Sequence, residues 1–199
     1  MKPGRGLAVW AIVLLFLTVC NARATPARSS VADGSGFSAC PQFFADKKPP
    51  LVPAHLLART KALCYDGFAI LYSGTSKTPV FVAQRLSKED LLQARNEVRS
   101  GSFFQDARLP FADRATLQDY RGSGYDRGHM APAGDMANAT MMSQSFSLAN
   151  IVPQAPINNR RAWASIEKAT RKYVMRAGGP VFAITGPVYL SGSPTIGPG

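Results

Sequence analysis

Between Tyr125 and Arg171 the chain gathers side chains that could act together on a phosphodiester. Hydrolysis of that bond needs an activated water, a cation beside the phosphate oxygens and compensation of the charge that builds up in the transition state. His129 closes the run Asp126-Arg127-Gly128-His129, a short charged segment in which an imidazole can be exposed and serve as a base near neutral pH. Taken alone, Asp-Arg-Gly is an ordinary turn, and a lone histidine is more often structural than catalytic.

A second group follows Asn150-Ile151-Val152-Pro153-Gln154: Asn159, Trp163, Glu167 and Arg171, each four residues from the last. On a helix such steps rotate by about 40° and advance about 6 Å, so the four form one slowly drifting stripe. Asn159 near the helix start and Glu167 one stripe position beyond Trp163 can then address a single cleft. On spacing alone, Glu167 and Arg171 read equally as a solvated helix face with Trp163 as its core anchor.

These groups need elements to hold them. Good helix formers and the apolar residues Ala162, Ile166, Ala169, Tyr173 and Val174 predict a helix over 158–177, stopped by Gly178-Gly179-Pro180. The partial alternation of 145–152 predicts a strand ended by Pro153. Residues 68–72 and 80–84, rich in aromatic and β-branched side chains around Ser73-Gly74-Thr75-Ser76-Lys77, predict a β-hairpin. Ser87 and Asp90 resemble a helix start, with Leu91, Leu92, Ala94 and Val98 following. The polar stretch 101–124 reads as mostly loop, and 181–185 with 188–190 as one more strand region. Pro49, Pro50 and Pro53 argue for a loop over 41–62, with a short helical turn around 55–61.

The 199 residues fit one domain large enough to bury a core, and 46% hydrophobic with 18% charged residues excludes wholesale disorder. Lys2 and Arg5 precede the apolar run 7–19 and then Ala22-Arg23-Ala24, the pattern of a secretory signal peptide cut after Ala24. A retained anchor or a lipid on Cys20 ranks below cleavage. Removal of 1–24 takes Lys2, Arg5 and Arg23 from the +11 total and no acid, leaving +8. That charge favours polyanionic partners through counterion release. Residues 25–39, rich in Ser, Gly, Ala and Pro, read as a mobile leader, and 40–199 as the folded domain. The protein is expected in the periplasm or the medium, with no membrane contact after cleavage. In that oxidising setting Cys40 and Cys64 are expected to pair. His55 has no carboxylate or cysteine nearby in sequence and reads as structural. Two histidines and no Cys-x-x-Cys argue against a zinc cage.

Three ordered segments together resemble the DNA/RNA non-specific endonuclease family, the ββα-metal or His-Me finger nucleases. They are Gly122-Ser123-Gly124-Tyr125-Asp126-Arg127-Gly128-His129-Met130-Ala131-Pro132, then Asn150-x-x-Pro153-Gln154, then Asn159-x-x-x-Trp163-x-x-x-Glu167 with Arg171. The resemblance covers roughly 64–190. It implies an α+β fold with a mainly antiparallel central sheet flanked by helices, and Mg²⁺-dependent hydrolysis of DNA and RNA to 5′-phosphate ends. It implies His129 as general base and Asn159 as ligand of Mg²⁺, or of Mn²⁺ in its place. Glu167 would order the water around the metal, and Arg127 and Arg171 would neutralise charge at phosphorus. Asp126 and Asn150 would support the site. An upstream arginine that contacts phosphate corresponds to Arg99, with Arg108 competing.

Asn158 adjoins Asn159 where the family has an apolar residue, so the ligand assignment rests on the count to Trp163 and Glu167. Family chains continue past the strand matching 181–190, so the C-terminal part of the fold is expected to be missing. A nucleic-acid-binding protein of the same fold with little catalysis is therefore the competing reading, and a small-substrate phosphodiesterase a third.

Overall fold

The computed structural model describes residues 34–190 and 192–198. The signal peptide expected over 1–24 and residues 25–33 of the expected leader lie outside them.

Three strands come first, β1 (Thr60–Cys64), β2 (Ala69–Ser73) and β3 (Thr78–Leu86). β2 and β3 form the hairpin anticipated by their aromatic and β-branched residues, with Ser73 Oγ accepting from the Thr75 and Ser76 N–H groups in the turn. β1 departs from expectation. The helical turn expected around 55–61 is confined to a 3-10 turn at Ala54–Leu56. From Thr60 the backbone instead pairs with β2 through five residues, Thr60↔Ser73 to Cys64↔Ala69, which satisfies its polar groups against a fully buried neighbour.

Ser87 caps α1 (Lys88–Ala94), its Oγ accepting from the Asp90 N–H at 3.1 Å. The helix buries Leu91 and Ala94 and leaves Val98 outside it, exposed. The long loop after it contains a 3-10 turn at Phe111–Asp113 and a short helix, α2 (Leu117–Tyr120), fixed by a reciprocal capping box between Thr116 and Asp119.

β4 (Asp126–His129), α3 (Ala139–Ser145) and β5 (Ile151–Gln154) come next, with β4 and β5 paired as an antiparallel ribbon separate from the main sheet. Two expectations are corrected here. The Asp126–His129 run is a strand and not a turn, because all four residues find partners in β5. The strand expected over 145–152 shrinks to Ile151–Gln154. Ser145 donates to Met142 O inside α3, and Ser147 Oγ accepts from the Ala149 N–H in a 3-10 turn and from Tyr65 Oη, with only an isolated bridge to Phe104, so neither serine joins a ladder. Pro153 lies within β5 and does not end it, which a two-stranded ribbon tolerates since it has free edges.

A π-helical turn, Asn158–Trp163, leads into α4 (Ala164–Val174), so the expected helix ends three residues ahead of Ala177. β6 (Val181–Thr185) pairs with β3 and completes an antiparallel sheet of order β1-β2-β3-β6. Residues 188–190 do not join it. The architecture is α+β, an antiparallel sheet flanked by helices, as the resemblance implies.

The sheet has a packed layer on each face. On one, Phe68, Ile70, Tyr72 and Val82 meet Met130, Met142, Phe146 and Val152 from the ribbon and α3. On the other, Ala69, Leu71, Phe81 and Ala83 meet Phe37, Phe43 and Phe44. Phe37 packs edge-on to Phe44 at 4.9 Å, so packing begins within 34–39, the described part of the expected leader. The expected Cys40–Cys64 disulfide is present, with 5.8 Å between Cα atoms, and ties this segment to β1. Closing a loop of 24 residues stabilises the fold by about 3 kcal/mol in the chain-entropy model. At the other end, Tyr189 Oη donates to Thr78 Oγ1 at 3.0 Å and Ile196 packs against Ala115, Tyr120, Leu148 and Ile151.

Candidate active site

The period of two along β4 puts Arg127 and His129 on one side of the ribbon. Both meet Phe103: the Arg127 guanidinium carbon lies 4.5 Å from its ring centroid, and the imidazole centroid 5.6 Å. Phe146 stands edge-on to His129 at 5.1 Å. The two rings cover an imidazole that the charged sequence suggested would be exposed; its exposure is only 7%. Burial, with the nearby Arg99 charge, lowers its pKa to about 4, so the ring is unprotonated at pH 7. Its Nε2 has no hydrogen-bond partner among the described residues.

Asn150 holds the exit of β4. It is wholly buried, its Oδ1 accepts from the Ala131 N–H at 2.8 Å, and its Nδ2 donates to the carbonyls of Ala131 and Ser145, each at 2.9 Å. Trp163 clamps the same place from the helix, donating its indole N–H to His129 O at 3.0 Å. Gly128 is required for a different reason. A Cβ there would stand 2.8 Å from Gln154 Cβ and 2.1 Å from its Oε1, so a larger residue must displace Gln154 in the ribbon.

Asp126 faces the helix start. It accepts from Asn159 Nδ2 at 3.0 Å and from Arg160 Nε and Nη2 at 2.9 and 2.8 Å. The bonded Arg160, then Asn159, hold its carboxyl below the usual range. The stretch carrying Asn159 is π and not α-helical, so the stripe is irregular at its N-terminal end. Even so, Arg99, Arg127, His129, Asn159, Glu167 and Arg171 line one cleft of about 270 Å³. Trp163 turns inward from the stripe, as its core-anchor role required.

The cleft is positively charged. Arg171 is held by the buried Asp135, Nη1 to Oδ1 at 2.9 Å, and Glu167 lies beside it. Burial pushes both carboxyls up, and Arg171 draws each of them back. Arg99 reaches the cleft while its guanidinium carbon sits 5.4 Å from the Phe146 ring. Arg108 does not reach it. It is bonded to Asp106 and to Cys64 O and lies over the Tyr65 ring, a structural cluster elsewhere.

Among the described residues no group of three or more His, Cys, Asp or Glu could cage a metal. The fit for a hard cation therefore rests on Asn159. Its amide nitrogen is committed to Asp126, which leaves Oδ1 as an oxygen donor beside the cleft. A Mg²⁺ held by one protein oxygen keeps positions for water and phosphate, so this donor set fits the ion.

Four contributors were not singled out in the sequence. Phe103 lies in a stretch without periodicity, and Phe146 in one whose partial alternation read as strand. Arg160 looked like helix surface. Asp135 carried a signal, an acid inside the apolar run from Met130 to Met136, where a buried charge needs a partner. His55 is exposed on its 3-10 turn, away from the cleft.

An antiparallel ribbon that presents a histidine, followed by a helix that presents an asparagine, defines the ββα-metal class of fold. The sequence model of the DNA/RNA non-specific endonucleases matches residues 53–199, a longer span than the motifs alone covered. The chain belongs to that family. It is 36% identical over 126 residues to the mitochondrial Nuclease 1 of Schizosaccharomyces pombe, covering 62% of this chain and 39% of that protein. With Nuclease C1 of Cunninghamella echinulata var. echinulata it shares 37% over 128 residues, 63% of this chain and 50% of the other. With the mitochondrial Endonuclease G of Bos taurus it shares 33% over 178 residues, 85% of this chain and 59% of the other. A chain in the crystal structure of the EndoG/EndoGI complex superposes with a TM-score of 0.61 at 31% identity, covering 65% of this chain and 54% of that one. The chain thus spans about half the length of the relatives it matches.

Proposed function

We propose that the protein is an exported, Mg²⁺-dependent endonuclease that hydrolyses phosphodiester bonds of DNA and RNA to 5′-phosphate ends. The observation that carries this reading is the convergence of His129, Asn159, Glu167 and three arginines on one cleft. His129, neutral at pH 7, takes the proton of the attacking water. Asn159 Oδ1 would hold the cation, Mg²⁺ or Mn²⁺ in its place, which would supply positive charge beside the phosphate. Glu167 orients water in the cleft. Arg127 and Arg171 carry the charge that accumulates on phosphorus, and Arg99, which lines the same cleft, contacts the phosphate. Asp126 and Asn150 hold Asn159 and the end of β4 in place. The signal-peptide pattern of Lys2, the apolar run and Ala22-Arg23-Ala24, together with the Cys40–Cys64 bridge, supports export to the periplasm or the medium.

The test is digestion of plasmid DNA and of RNA by the chain freed of 1–24, with Mg²⁺ and with EDTA, followed by end analysis. Cleavage of both polymers with Mg²⁺ to 5′-phosphates is expected. Equal cleavage in EDTA, or 3′-phosphate ends, contradicts the proposal.

A further inference from the structure

The cleft continues past Asn159. Arg99, Arg127 and Asn159 also line a larger cavity of about 580 Å³, whose other wall carries Arg121 and Tyr125. Those two residues in turn line a third cavity of about 390 Å³, bounded by residues 195–198 of the C-terminal tail. A single groove therefore runs from His129, over an Arg121–Tyr125 rim, to the tail.

The rim is built and not frayed. Arg121 ends α2 with its N–H donating to Gln118 O at 3.2 Å, and the Tyr125 N–H donates to Ser123 Oγ at 3.1 Å. Gly122 and Gly124 between them take φ of 67° and 78° with open space where a Cβ would stand, so they serve the bend alone. This bend presents a guanidinium and a phenol ring, 37% exposed, immediately ahead of β4. The acid among the lining residues of the second cavity, Asp126, is already paired with Arg160. The groove is thus cationic from Arg99 and Arg127 to Arg121, with Glu167 in the first cleft and Asp119 in the third cavity as its acids, and aromatic at its rim.

We infer that this groove takes an unpaired stretch of nucleic acid, in which the nucleotide next to the scissile phosphate stacks its base on Tyr125 and the following phosphate meets Arg121. The inference rests on the phosphodiesterase reading of the first cleft. An aromatic ring can stack only on a base whose face is open, and in a duplex the neighbouring pairs cover both faces. A single strand therefore gains this contact and a duplex does not, which makes Tyr125 a specificity-determining residue and the protein selective for single-stranded or locally opened substrate.

The experiment compares the wild type, Tyr125→Ala, Tyr125→Phe and Arg121→Ala on a single-stranded oligonucleotide and on its duplex. Each rate is normalised to hydrolysis of bis(4-nitrophenyl) phosphate, which has no base, by the same preparation. The wild type should favour the single strand. Tyr125→Ala should lose about tenfold or more on it, chiefly in KM, with a change below about twofold on the duplex, while Tyr125→Phe keeps the preference. Arg121→Ala should lower the slope of log KM against log salt by roughly one. Equal losses on both substrates, or a loss in Tyr125→Phe as large as in Tyr125→Ala, overturns the inference. If the wild type hydrolyses none of the three substrates, the phosphodiesterase reading fails instead. The variants are then read by binding of a fluorescein-labelled single strand, where unchanged affinity in Tyr125→Ala overturns the groove.

Discussion

The side-chain amide of Asn159 donates from Nδ2 to Oδ2 of Asp126 at 3.0 Å. An ionised carboxylate can only accept, so this contact fixes which end of the amide faces Asp126 and reserves Oδ1 as a donor atom for a cation. Arg160 grips the same carboxylate from two nitrogens and keeps it ionised and in place. In the proposed reaction the first residue of the Asp126–His129 strand orients the metal ligand, and the last is the base.

Replacing Asp126 by Asn removes the acceptor-only partner and lets the Asn159 amide turn over. The Mg²⁺ concentration for half-maximal cleavage should rise about 10- to 100-fold. A metal titration of D126N checks this; an unchanged midpoint would mean that Asp126 does not orient Asn159.

His129 gives a pH dependence. Its pKa falls from 6.5 to about 4 on folding, so between those values the unfolded chain binds the extra proton. Stability from this source is complete above pH 6.5 and is lost as pH falls towards 4, by about 3 kcal/mol. Denaturant unfolding of the wild type and His129→Asn across this window should diverge by that order, the wild type losing more. Parallel curves would refute the buried, neutral imidazole.

Gly128→Ala drives a methyl to within 2.1 Å of Gln154 Oε1 and 2.8 Å of Gln154 Cβ, both in the ribbon. Overpacking of this kind costs about 1–3 kcal/mol, a fall in Tm of roughly 2–12 °C for a domain of this size. Thermal unfolding measures it, and a Tm equal to the wild type's would show that the ribbon can open without loss.

Asp135 acts through Arg171. The Asp135→Asn variant keeps the shape but removes the buried negative charge that holds the guanidinium at 2.9 Å. A misplacement of about 1 Å costs on the order of 100-fold, so kcat should fall by about 10- to 100-fold with KM changing less. A loss confined to stability, with kcat intact, would assign Asp135 a structural role only.

Much of the site was legible in the sequence because its parts are local. The run from Asp126 to His129 and the four-residue steps from Asn159 to Arg171 each occupy one element, and a motif within one element survives errors in its boundaries. The π turn did not displace Asn159 from the cleft, so a stripe drawn for an ideal α-helix still found it. The hairpin and α1 were equally local, set by β-branched residues and by the Ser87 cap. What was hidden depends on distant partners. β1 exists because β2 is there to pair with it, and the strand character of Asp126–His129 comes from β5, 22 residues beyond its end. The burial of His129 comes from Phe103 and Phe146, one before and one after it in sequence, which also pack on each other at 5.0 Å. No spacing rule joins Asp135 to Arg171 or Arg160 to Asp126. Those pairs become visible only when the helix docks on the ribbon.

The most direct test of the account is the cleavage of plasmid DNA and of RNA by His129→Ala, with Mg²⁺ and matched protein concentration. Removing a positioned general base should lower the rate on both polymers by about 10²- to 10⁴-fold, with the fold retained. Cleavage by His129→Ala at the wild-type rate would contradict it.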